Sequence, residues 1–108
     1  MAEISCRCEE PDAPIDLFER TFLGTDYLFA EVCIDLCRAC RRQWLHYHLE
    51  YEGFTGSGRW YRGLLPPGAA VTTRNAALVF ADLEWYWAGG SRRRGQVVRG
   101  AGSIDLDP

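Results

Sequence analysis

The chain has 108 residues, of which 47% are hydrophobic and 25% are charged. This length and composition predict one folded domain spanning residues 1–108, exclude extended disorder, and leave a core small enough to gain stability from a metal or another staple. The formal net charge of −3 argues against binding nucleic acid over the whole surface.

The N-terminal stretch, MAEISCRCEE, is acidic and lacks the basic start and apolar run of a secretory signal. No apolar stretch of the sequence approaches the roughly 20 residues needed to cross a bilayer. We therefore expect a cytoplasmic protein without membrane association. Because disulfides are rare in a reducing compartment, clustered cysteines are better interpreted there as metal ligands or catalytic thiols.

Two segments carry helical signals. The first, PDAPIDLFERTFLG at 11–24, has Pro14 at a first-turn position followed by an apolar stripe. The second, TTRNAALVFADLEWYW at 72–87, offers Thr72 or Thr73 as N-cap and places apolar residues at helical spacing. We predict that the first helix bridges two cysteine pairs and that the second covers one face of a sheet.

The segment between these helices has the pattern of a small antiparallel sheet. Side chains alternate between apolar and polar from 45 to 51, so 43–52 is predicted to pair with 27–36 as a hairpin. RWYRGLL predicts a third strand, and the apolar stretch at 96–99 predicts an exposed hairpin or strand addition. A long helix through the hairpin region is an open alternative, because seven residues also fit helical spacing: Phe29, Val32, Cys33, Leu36, Cys40, Trp44 and Tyr47.

Four of the five cysteines form two closely spaced pairs, a C-x-C at Cys6 and Cys8 and a C-x-x-C at Cys37 and Cys40. Zinc favours four tetrahedral ligands, and two short-spaced pairs can supply them. We therefore predict a structural zinc ion, because a closed four-sulfur shell leaves no coordination position open for catalysis. Its surplus negative charge would be offset by arginines within or beside the pairs, namely Arg7, Arg38, Arg41 and Arg42.

The remaining candidate ligands are assigned no site. Cys33 lies between two apolar residues and is interpreted as a small core residue, with competition for the metal as the alternative. His46 and His48 would point the same way from a strand, but no third ligand is evident except Glu50.

These features resemble those of zinc-ribbon proteins. The resemblance rests on CRC at 6–8, CRAC at 37–40 and the strand-like RQWLHYHLEYE that follows, and it covers roughly half of the chain. It implies a structural zinc held by Cys6, Cys8, Cys37 and Cys40. The fold class predicted is α+β, a small antiparallel sheet with a zinc-ribbon-like hairpin and two flanking helices. Two departures are the C-x-C spacing of the first pair and Arg41, which stands where ribbons often place a glycine.

The functional prediction is a binding protein and not an enzyme. The arginine bias of its basic residues favours a bacterial source, and small acidic proteins of this kind can act as accessory, regulatory or immunity-type inhibitor proteins that bind a protein partner. Alternatives are a nucleic-acid-binding zinc ribbon and a thiol oxidoreductase that uses the C-x-x-C pair. The candidate partner surface joins aromatic residues and arginines, types enriched at binding hot spots: Arg59, Trp60, Arg62, Trp87, Arg92, Arg93 and Arg94.

Overall fold

A computed structural model describes residues 6–107, and in that part of the chain six antiparallel strands form one sheet in sequence order. Residues 1–5 and Pro108 lie outside the described part. Residues 1–5 belong to the N-terminal stretch that was predicted to lack a secretory signal. A helix, α1 (Ala76–Asp82), connects the fourth and fifth strands, and 3-10 turns cover Arg7–Glu9, Ile15–Leu17 and Ser91–Arg93. The strands are β1 (Phe18–Thr25), β2 (Glu31–Cys37), β3 (Gln43–Leu49), β4 (Arg59–Leu64), β5 (Tyr86–Gly89) and β6 (Val98–Gly100).

The predicted hairpin is present as β2 and β3. Ile34 lies opposite Leu45 and Val32 opposite Tyr47, and the CRAC turn connects the two strands. The alternative of a long helix through this region is therefore wrong. The third predicted strand corresponds to β4, and the tail adds β6 to the edge of the sheet, beside β5.

The fold-class prediction of two flanking helices is wrong, and the first helix is the main reason. Instead of a helix over 11–24, the chain makes a short 3-10 turn and then enters β1. Phe18, Arg20 and Phe22 alternate along β1 and lie opposite residues of β2, with Arg20 facing Asp35. Backbone groups along the edge of β2 gain hydrogen-bond partners from this pairing, which a helix could not supply.

The second predicted helix is shorter than the sequence pattern indicates. It covers Ala76–Asp82, and Tyr86 begins β5, which pairs with β4 on one side and β6 on the other. Thr72 is not the N-cap: its hydroxyl accepts hydrogen bonds from the backbone of Arg74 and Asn75 in the preceding turn. The aromatic residues after the helix are thus recruited by strand pairing, which overrides their helical spacing.

The two faces of the sheet have different partners. The core face, defined by Val32, Leu45, Tyr47, Tyr61 and Tyr86, packs against α1 through Phe80. The helix approaches closely because β4 has a glycine there: a Cβ on Gly63 would lie 3.3 Å from the Phe80 ring of α1 and would clash with Leu83, the residue after the helix.

The opposite face, which we call the cysteine face, carries Cys37, Trp44, His46, Arg62 and Trp87. The N-terminal segment, residues 6–17, crosses part of it and buries Cys8. No helix in residues 6–107 has the length and apolar character that crossing a bilayer requires.

Candidate metal centre

The four cysteines of the two sequence pairs meet on the cysteine face. Their sulfur atoms all lie within 4.8 Å of one another. Cys6 Sγ is 3.7 Å from Cys37 Sγ, and Cys8 Sγ is 3.6 Å from Cys40 Sγ, so each short contact joins one pair to the other. All four thiols are free.

These separations fit a tetrahedral zinc site. With zinc–sulfur bonds of about 2.3 Å, the sulfurs of a regular tetrahedron lie about 3.8 Å apart, whereas a disulfide joins its sulfurs at about 2.05 Å. The cluster therefore has the spacing of metal ligands and is too wide for disulfide bonds. Two of the four cysteines are fully buried, Cys8 and Cys37, and the other two are partly exposed.

Each cysteine pair sits in a tight local structure. Cys37 is the last residue of β2, and its sulfur accepts a hydrogen bond of 3.5 Å from the backbone N–H of Cys40. Arg41 has a φ of 66°, so the position at which a ribbon often has glycine adopts the left-handed conformation that favours glycine. The first pair lies at the 3-10 turn, where the Cys6 N–H donates to the Glu9 carboxylate.

Arg42 connects the second pair to the first. Its Nε–H donates to Cys40 Sγ at 3.3 Å, and its NH2 donates to Cys8 Sγ at 3.9 Å and to the Glu9 carboxylate at 2.8 Å. The hydrogen bond from Arg42 holds the pKa of Glu9 below its ordinary value. A cation that bonds two sulfurs offsets part of the negative charge that four thiolates around Zn²⁺ would carry.

Burial and hydrogen bonding shift the pKa values of Cys40 and Cys8 in opposite directions. Burial raises the pKa of Cys40, but hydrogen bonds from Arg42 and from the neighbouring thiols outweigh it and lower that pKa to about 6. Burial raises the pKa of Cys8, which the indole N–H of Trp44 opposes.

Trp44 supplies the test of whether a metal fits. Its Nε1–H is completely buried and has no hydrogen-bond partner of ordinary geometry in the described part of the chain, although it lies near enough to the Cys8 sulfur to affect that thiol. A buried donor without an acceptor costs free energy, and a thiolate accepts hydrogen bonds better than a thiol. Deprotonation of Cys8 by metal binding would therefore give Trp44 its acceptor, so the residues present fit a zinc ion.

Glu9 and Trp44 were not among the predicted site residues, although both had a signal in the sequence. Glu9 follows Cys8 directly, and Trp44 occupies the second residue of the strand after the CRAC turn. The surplus negative charge of four thiolates predicts nearby cations, but it does not predict a carboxylate that positions one of them.

The seven predicted partner-binding residues do not share one surface. Arg59 is completely buried on the core face, where its guanidinium bonds the carbonyls of Ser57, Asp105 and Asp107. Arg62 is buried on the cysteine face, because residues three apart on a strand point to opposite faces.

The other members are divided in the same way. Trp60 and Trp87 lie on the cysteine face, where Trp87 Nε1 donates to the Glu9 carbonyl at 3.0 Å. The Arg92–Arg94 run lies beyond β5, with Arg92 paired to Asp105 at 2.8 Å. Partner binding by these residues therefore stays a prediction. The structure divides them, because Arg59 and Arg92 both bond Asp105, whereas Trp60, Arg62 and Trp87 lie on the cysteine face.

The residues that were assigned no site lie apart from the cluster. Cys33 is 4% exposed, lies on β2 opposite Phe22 and His46, and does not belong to the four-cysteine group. His48 is exposed and lies 4.0 Å from Glu31.

Comparisons with protein-family models, with curated proteins and with solved structures found no match to this chain.

Proposed function

We propose that the protein binds one structural zinc ion through Cys6, Cys8, Cys37 and Cys40 and acts by binding a protein partner without catalysing a reaction. The observation that carries the zinc assignment is the convergence of four sulfurs within 4.8 Å. When bound, zinc would join the N-terminal segment to the β2–β3 turn, since each segment supplies two ligands. A four-sulfur shell has no open position for a substrate, which supports a structural role.

Metal content tests this assignment. We would measure zinc by native mass spectrometry on untagged wild-type protein and on Cys8→Ala, Cys40→Ala and Cys33→Ala. We expect one zinc ion per chain in the wild type and in Cys33→Ala, and loss of the ion in the other two. Cys33→Ala is the matched control because it also removes a thiol on the cysteine face. A folded, metal-free wild type, or equal loss in all three variants, would contradict the proposal.

The observation that supports partner binding is an exposed aromatic tip between β1 and β2. Tyr27 is 80% exposed and Phe29 is 85% exposed. Phe29 has a φ of 63°, a conformation that costs a non-glycine residue about 1–2 kcal/mol. Asp26 maintains this turn by accepting hydrogen bonds from the N–H groups of Leu28 and Ala30. A strained backbone that presents two aromatic rings to solvent is typical of a binding site.

Pull-down of partners with tagged protein tests the tip. We would compare the wild type with Tyr27→Ser/Phe29→Ser and with Leu78→Ser, the control, which removes an apolar side chain that is 72% exposed on α1. A protein recovered by the wild type and the control but not by the tip variant, and then bound directly when purified, is the expected result. Equal recovery by all three would exclude the tip as the binding surface.

A further inference from the structure

A second site opens on the cysteine face beside the N-terminal segment. It is a cleft of about 240 Å³ with an apolar wall from Ala13 and Phe18 and an aromatic wall from His46 and Trp60. The His46 and Trp60 rings are nearly parallel, with an interplanar angle of 13° and centroids 6.1 Å apart. Such walls suit a flat, apolar ligand body.

The acidic residue that lines this cleft is already paired. Asp35 is 2% exposed, and its two oxygens accept hydrogen bonds of 2.7 and 2.9 Å from Nε and NH2 of Arg20. A bidentate pair of this kind neutralises the carboxylate and uses its acceptors. The cleft therefore offers a cationic ligand little to bind.

Arg62, in contrast, is a buried cation that makes no ion pair with residues 6–107, although the charges of Asp35 and Cys8 act on it from a longer range. It is 8% exposed and lies between the rings of Phe18 and Trp44, each 5.4 Å from its guanidinium carbon. In residues 6–107 its NH2 donates to the Glu10 carbonyl at 2.8 Å, its Nε has no partner, and no carboxylate oxygen lies within the 4.0 Å of an ion pair. Buried charges are normally paired, so this guanidinium is incompletely satisfied.

The cysteine cluster does not supply the missing partner through a hydrogen bond. Within the described residues, Arg42 makes the guanidinium–sulfur bonds and Arg62 makes none. His46, which also lines the cleft, adds a further donor. Burial and the nearby Arg20 charge lower its pKa to about 4, so its ring is neutral at pH 7 and carries one N–H.

We propose that this cleft binds a small organic carboxylate with a planar apolar body. The carboxylate would accept hydrogen bonds from Arg62 and His46, and the body would lie between Phe18 and Trp60. Three observations agree on this class: an unpaired buried guanidinium, a carboxylate already neutralised by its own partner, and aromatic walls at both sides. The residues that line this cleft do not include the four clustered cysteines.

Benzoate is the probe for this test, and benzamide is its uncharged control of the same shape. We would follow the indole N–H signal of Trp60 and the backbone amide signal of His46, which also lines the cleft, by nuclear magnetic resonance during titration of each compound into zinc-loaded protein; the His46 signal serves as the readout in Trp60→Leu. N-acetyl-phenylalanine forms a second arm, because its carboxylate is that of a peptide C-terminus. Zinc content is measured for every sample, so loss of metal and loss of carboxylate binding are separated.

Three variants make the result specific. Arg62→Gln removes the cation, Trp60→Leu removes the stacking wall, and His48→Gln is the control, since His48 lies on the same face of β3 but outside the cleft. We expect saturable binding of benzoate, binding of benzamide weaker by roughly tenfold or more, and a similar loss in Arg62→Gln and Trp60→Leu but not in His48→Gln. If Arg62→Gln does not fold, the benzoate–benzamide comparison and the Trp60→Leu variant still test whether the cleft binds a carboxylate.

Equal binding of benzoate and benzamide, or no saturable shift with any carboxylate, would overturn the proposal. Binding of benzoate alone would assign the cleft to free small acids. Binding of N-acetyl-phenylalanine as well would extend the same chemistry to the C-terminus of a peptide.

Discussion

Arg42 donates its Nε–H to the sulfur of Cys40 across 3.3 Å, and the same guanidinium bonds the Glu9 carboxylate at 2.8 Å. Glu9 in turn accepts the backbone N–H of Cys6. One arginine thus joins the two segments that carry the cysteine pairs, in the same place where the proposed zinc ion would join them.

Replacement of Arg42 by glutamine is expected to weaken zinc binding by about 10- to 100-fold, the usual effect of losing a group that supports metal ligands. Competition with a chromogenic chelator measures this affinity. Arg38→Gln is the matched control, because Arg38 lies exposed in the same turn. An equal effect of both substitutions would show that general charge near the site matters and that the Arg42 contacts do not.

Arg41→Gly is expected to stabilise the protein by about 0–1.5 kcal/mol. A left-handed conformation costs arginine about 1–2 kcal/mol, and the extra freedom of glycine in the unfolded chain offsets about 0.5–1 kcal/mol of that gain. Urea unfolding at constant zinc measures the difference in the free energy of unfolding. A clear destabilisation would mean that the arginine side chain contributes more than its backbone strain costs.

Gly63→Ala tests how closely α1 packs on β4. Because the added methyl group would lie 2.3 Å from Leu83 Cδ1 and 3.3 Å from the Phe80 ring, we expect destabilisation by about 1–3 kcal/mol. Gly53→Ala is the control, since a Cβ there would meet no atom within 4 Å. Thermal unfolding of both variants gives the comparison. Equal melting temperatures would show that α1 shifts without cost.

The successes and failures of the sequence-based predictions have a common physical origin. The β2–β3 hairpin could be predicted because its alternation is regular and both strands adjoin the turn that connects them. β1 could not, since Phe18 and Phe22 fit a helical stripe as well as a strand. The decision came from pairing with β2, whose residues lie as much as 19 positions further along the chain, as between Phe18 and Cys37.

The residues predicted as the partner surface lie on both faces of the sheet, for a reason that the sequence did contain. Once 59–65 is predicted as a strand, a period of two places Arg59 and Arg62 on opposite faces. The predicted partner surface instead grouped aromatic residues and arginines by their type. It also had no means of finding Asp105 and Asp107, whose backbone carbonyls lie against Arg59 although they are more than 40 residues away.

His46 should make the stability of the protein fall on acidification. Its pKa is lowered from 6.5 to about 4, chiefly by burial, and Arg20, Asp35, Arg62 and His48 are the charged and titratable groups around it. The unfolded chain therefore binds the proton first. The contribution of neutral His46 to the free energy of unfolding is complete above about pH 6.5 and is lost as the pH falls toward 4. At pH 5 about 2 kcal/mol of it is lost.

His46→Gln isolates this effect from release of the metal at low pH, because the cysteines are common to all variants. We would measure urea unfolding at pH 7.5 and pH 5 for the wild type, His46→Gln and His48→Gln. The loss of unfolding free energy between the two pH values should be smaller by about 2 kcal/mol in His46→Gln than in the other two. The same loss in all three proteins would mean that His46 keeps an ordinary pKa in the folded state, and that the cleft presents an imidazolium to its ligand below neutral pH.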